Sequence, residues 1–125
     1  MDIYTTDELA TARGPIASLV SKSEKALQKL AAGSWQHSML RDNLDALRLA
    51  SALMNQEPTE AGDAAPGALQ GAIRGIAALI SKSDQAQAKF PPGTSQHTLL
   101  RNRLKALRIA EAMTRAELEK RKNAI

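Results

Sequence analysis

The 125-residue chain is predicted to be all-α, an antiparallel four-helix bundle built from two tandemly repeated helical hairpins. Three observations predict this. The apolar residues are mainly Ala and Leu, which lose little rotamer freedom in a helix. They recur at spacings of three and four, the period of one helical face. The sequence also aligns with itself, without a gap, when shifted by 60 residues, and such an internal match organises the whole reading.

The match is close. Between residues 16 and 53, 19 of 38 positions are identical to those 60 residues later. Ser21-Lys22-Ser23 falls on Ser81-Lys82-Ser83, and Ala46-Leu47-Arg48-Leu49-Ala50 falls on Ala106-Leu107-Arg108-Ile109-Ala110. Residues 1–125 are therefore read as one helical domain. The hairpin repeats span 6–54 and 67–122, and a linker over 55–66 carries Pro58, Gly62 and Pro66.

Taken in order, the first helix places Leu9, Ala12, Ile16, Leu19, Val20, Ser23, Leu27 and Leu30 on one face. Gly14-Pro15 interrupts it, because Pro15 has no N–H to give Thr11, so a kink or a helix start at Pro15 is expected. Ala31-Ala32-Gly33 stops this helix, and Ser34 caps the next. The second helix turns Leu40, Leu44, Leu47 and Met54 inward. The third repeats the first with Leu69, Ala72, Ile76, Leu79, Ile80, Ser83 and Phe90, and stops at Pro91-Pro92-Gly93. Thr94 then caps a fourth helix that buries Leu100, Leu104, Leu107 and Leu118. At about 1.5 Å per residue, helices of this length span about 30–39 Å.

Composition excludes several functions. There is no cysteine, so a disulfide framework and thiolate metal sites are excluded. Aromatics make up 2 %, too few for a base-stacking surface. No His-Glu-x-x-His or Glu-x-x-His segment and no Gly-rich phosphate loop occurs, so no metal, cofactor or catalytic residue is assigned. No apolar run reaches the roughly 20 residues that cross a bilayer. The polar, acidic start lacks a signal-peptide pattern, which makes a cytoplasmic location the expectation.

The net charge of +4 is unevenly spread. Residues 1–54 carry six basic and six acidic residues, 55–67 only three acids, and 68–125 eleven basic and four acidic residues. The second half is thus the electropositive one.

Two candidate sites follow. Gly-(Ser/Thr)-x-Gln-His-(Ser/Thr)-x-Leu-Arg occurs twice and places a His and an Arg near a helix start, where free N–H groups favour anions. On a helical wheel His37, Arg41 and Arg48 lie within about 40° of one another, as do His97, Arg101 and Arg108. These six form a candidate phosphate or small-anion site. The competing reading is a capping box with His in the place of Glu, reaching back to the cap N–H, and it is favoured. The second candidate is a basic row on the last helix, Arg101, Lys105, Arg108, Arg115 and Lys122, over an arc of about 100°. It suits a phosphate backbone or another polyanion. Trp35 has no aromatic twin and is expected to anchor one end of the bundle. The leading functional expectation is a non-enzymatic interaction or assembly module that self-associates, as a homodimer, or binds a protein partner through its Ala/Leu faces. Weak nucleic-acid or polyanion binding and an anion site are the alternatives.

Overall fold

A computed structural model of the chain describes residues 4–55 and 66–123. It contains four helices, α1 (Thr6–Gln28), α2 (Trp35–Met54), α3 (Pro66–Gln87) and α4 (Ser95–Asn123), and no strand among the described residues. Apart from its end residues, the expected linker over 55–66 lies outside the described residues. Asn55 is the C-cap of α2, and Pro66 opens α3, the first-turn place where proline's missing N–H costs nothing.

Local chemistry sets each boundary. Helix α1 begins with a capping box that the apolar pattern did not announce. The Thr5 hydroxyl accepts from the Glu8 N–H at 3.1 Å, and the Thr5 N–H donates to Glu8 Oε1 at 3.0 Å. The helix then runs unbroken through Pro15, so a start at Pro15 does not occur. The residue before proline is pushed from helical geometry by its own Cβ, and Gly14 has none. Helices α1 and α3 stop at Gln28 and Gln87, short of the expected stops at Ala31-Ala32-Gly33 and Pro91-Pro92-Gly93. Gly33 and Gly93 instead take φ of 90° and 93° just before the caps Ser34 and Thr94, a left-handed conformation that is cheap only at glycine. The two turns match bond for bond. The Lys29 and Leu30 N–H groups donate to Ala26 and Leu27, and those of Lys89 and Phe90 to Ala86 and Gln87.

The core is built mainly by α2 and α4. Leu44, Leu47, Ala50 and Met54 of α2 are buried, as are Leu104, Leu107, Ala110 and Thr114 of α4. Ala12, Ile16 and Leu19 of α1 and Ile76 of α3 complete it. Leu9, Val20, Leu27 and Leu40 are only half-buried although all four fall on the apolar face of their helix, while Leu30, half-buried, and Phe90, exposed, lie beyond the ends of α1 and α3. Thr114, fully buried, donates its hydroxyl to the Ala110 carbonyl at 2.7 Å, which satisfies a group that would otherwise be costly there.

Each helix packs on its neighbours in the order α1, α2, α3, α4 and back to α1, and α2 also meets α4 across the middle. Arg13 of α1 donates to the Met54 carbonyl at 3.2 Å, while Glu24, near the other end of α1, meets Arg48. Leu69 and Ile73 at the start of α3 pack with Leu118 near the end of α4 and with Leu49 and Leu53 of α2. A Cβ on Gly75 would stand 3.1 Å from the Ala46 Cβ, so glycine is what lets α3 approach α2 this closely.

Candidate functional site

The two helix starts fold as the sequence predicts, with one correction. Ser34 and Thr94 cap α2 and α4, their hydroxyls accepting from the His37 and His97 N–H groups at 3.1 and 3.2 Å. The same hydroxyls donate to the Ala31 and Pro91 carbonyls at 2.8 Å. The cap N–H groups, however, donate to those two carbonyls, at 3.2 and 3.3 Å. The turn therefore occupies the donor that a capping-box histidine would satisfy, and the histidines are half-buried beside the cap without closing the box.

Arg41 and Arg101 lie one turn further along their helices, exposed. The next cation differs between the two starts. Arg48 meets Glu24 of α1 at 2.9 Å, so it is drawn across to α1. Arg108 has no such partner among the described residues, and the position matching Glu24 is Asp84, one methylene shorter. The six candidate anion-site residues thus fall into two sets of three that are not electrostatically equivalent.

All five residues of the basic row are exposed. Two are paired locally, Arg115 with Glu111 and Lys122 with Glu119, both at 3.8 Å. Among the described residues no carboxylate comes within ion-pair distance of Arg101, Lys105 or Arg108. Lys105 lines a groove between α1 and α4 that also contains Glu8. Hydrogen bonds from the Thr5 backbone and hydroxyl hold the Glu8 carboxyl below its ordinary value, with a lesser contribution from the charge on Lys105.

Among the described residues, two surface grooves correspond. The smaller, about 240 Å³, lies between α1 and α4. It is lined by Glu8, Thr11, Ala12 and Pro15 on one wall and Asn102, Lys105, Ala106 and Ile109 on the other. The larger, about 580 Å³, lies between α3 and α2. Its lining includes Ala68, Gly71, Ala72 and Gly75 facing Asp42, Asp45, Ala46 and Leu49. Every one of these eight residues stands 60 positions from one lining the smaller groove.

Among the described residues four large apolar side chains are exposed, Trp35 (68 %), Met39, Phe90 and Leu99 (53 %). All lie at or just beside the two glycine turns. Trp35 therefore does not anchor the end of the bundle, because its indole faces water. Met39 and Leu99 carried a legible signal, since they occupy the same position of the two halves and lie off the stripe of Leu40 and Leu100. Trp35 has no apolar counterpart to compare, because position 95 is Ser.

Among the described residues no cluster of three His, Cys, Asp or Glu side chains is arranged to hold a metal ion, and no helix is long and apolar enough to cross a membrane. No protein-family model matches the chain, and neither a curated protein nor a solved structure does.

Proposed function

We propose that the chain is a non-enzymatic assembly module that associates with a second copy of itself. The observation that carries this reading is the exposure of Trp35, Met39, Phe90 and Leu99 beside the two glycine turns. Burying a side chain of this size stabilises a complex by about 1.5–3 kcal/mol, and large apolar and aromatic side chains are what interface centres are made of. In the same reading the four helices are two tandemly repeated hairpins in an antiparallel bundle. The paired grooves support the repeat. The succession Arg13–Met54, then Glu24–Arg48, along α1 and α2 supports the antiparallel order, as does the meeting of the start of α3 with the end of α4.

Sedimentation equilibrium of the full chain from about 1 to 100 μM tests this. The expected result is a mass that rises toward the dimer with concentration. The double variant Trp35→Ser/Leu99→Ser should stay monomeric with its helical circular dichroism unchanged. A monomeric mass throughout for the unaltered chain overturns the proposal.

A further inference from the structure

We infer that the outer face of α4 is a docking surface for the phosphate backbone of a nucleic-acid duplex, read without regard to base sequence. The spacing of the cations is the first observation. Arg101, Arg108, Arg115 and Lys122 recur every seven residues, about 10.5 Å per step and about 31 Å in all. A heptad step drifts by only about 20° around a helix, so the four form one slowly winding row, with Lys105 beside its first step. All are exposed, and Glu119 is the single acid on the arc they share.

The second observation is what has happened on α2. There the counterpart of Lys105 is Asp45, and the counterpart of Arg108 is Arg48, already held by Glu24 at 2.9 Å. The first half thus neutralises its version of this row, whereas the second leaves Arg101, Lys105 and Arg108 without an ion-pair partner among the described residues. An ion pair that is made must be broken before a phosphate is bound, so the first part of α4, with Arg101, Lys105 and Arg108, is ready to take one, while Arg115 and Lys122 must first leave Glu111 and Glu119.

The kind of polyanion follows from what surrounds the row. A membrane-docking helix needs an apolar face to insert, but the apolar face of α4 is buried in the core through Leu104, Leu107, Ala110 and Leu118. A single-stranded nucleic acid is gripped by aromatic side chains on which bases stack, and α4 has none. An acidic protein surface is normally met with a desolvated apolar or aromatic centre, which this arc also lacks. Evenly spaced point charges on a rigid rod suit a regular array of phosphates. A row of cations spaced along the backbone gives binding that is electrostatic and non-specific.

The test is fluorescence anisotropy of the full chain with a labelled 20-base-pair duplex in a salt series. At 50 mM NaCl the dissociation constant should fall in the range of about 10⁻⁴–10⁻⁶ M usual for non-specific binding, and a second duplex of unrelated sequence should bind equally. The logarithm of affinity should fall against the logarithm of salt with a slope of about −3 to −4, which is three or four phosphate contacts. Arg101→Gln/Lys105→Gln/Arg108→Gln should flatten that slope by about three and weaken binding about tenfold or more at low salt. The charge-preserving Arg101→Lys/Arg108→Lys should bind as the unaltered chain does. The single variants Arg101→Gln and Arg108→Gln, each flattening the slope by about one, serve if the triple variant loses its helical signal. Lys22→Gln/Lys25→Gln/Lys29→Gln, which removes three exposed cations from α1 and its C-cap, should leave binding intact. The inference is overturned by any of four results. These are no binding up to about 100 μM, equal loss from the α1 and α4 triples, tighter binding to a single strand, or tighter binding to anionic vesicles.

Discussion

The two grooves make the sharpest comparison in the molecule. They are framed by matching positions of the two halves, yet one is more than twice the volume of the other (about 580 against 240 Å³). The larger groove extends beyond the shared frame to Met39, Asn43, Arg74 and Ala78, and the frame itself carries different side chains. Glu8, Thr11 and Pro15 fill the α1 wall, where α3 has Ala68, Gly71 and Gly75. Charge has diverged on the same frame, with Lys105 in the smaller groove at the position of Asp45 in the larger. The buried positions have not diverged in this way, since Leu44 and Leu47 face inward as Leu104 and Leu107 do. A packed interior resists a change of even one methylene, whereas a groove wall and a solvated charge change at little cost.

If the halves share one packing scheme, equivalent core truncations should cost alike. Leu47→Ala and Leu107→Ala remove side chains that are both fully buried, and each should lose about 2–5 kcal/mol. Urea unfolding of the two variants checks this. Losses that differ by more than the extrapolation error would break the correspondence at its centre.

The glycine turns are the next test. Gly33→Ala and Gly93→Ala force a Cβ into the left-handed region, which costs about 1–2 kcal/mol. No other atom crowds either position, so the loss should be purely conformational and equal in the two turns. Thermal melts of the pair would show it, and an unequal loss would mean that one turn carries a further role.

Smaller effects should separate the halves. Glu24→Gln removes the partner of Arg48, and for a half-exposed pair the loss should stay below about 1 kcal/mol. It should fade as salt is raised, since screening shortens the reach of surface charge. Asp84→Asn, the matching change in the second half, should alter nothing, and a measurable loss there would reveal an ion pair with Arg108 in solution.

The smallest expected effect concerns acid. Glu8 has a folded pKa below its unfolded one. Its contribution is therefore complete above the ordinary glutamate value, about 4.3, and is lost as pH falls through the lower folded value. The matching position, 68, is Ala, so this acid-sensitive element belongs to the first half alone. Glu8→Gln should reduce the slope of stability against pH below about pH 4.3, as read by urea unfolding. An unchanged slope would show that the capping box does not form in solution.

The helices were legible from the chain because their signals are local. Apolar spacing, the caps at Ser34 and Thr94, and the glycine turns at Gly33 and Gly93 all act within one or two turns. The run of α1 through Pro15 was harder to read, because two local rules conflict there and Gly14 relieves the clash that would normally end the helix. The sequence alone thus determined four helices, the faces that carry their core Leu and Ile residues, and the +7 charge of residues 68–125. Tertiary structure decided which cations lose their freedom, with Arg48 drawn to Glu24 and Arg108 left open, because ion pairing depends on reach between helices. It also decided that Trp35 and Phe90 face water, since helical period fixes the direction of a side chain and only packing determines whether anything covers it.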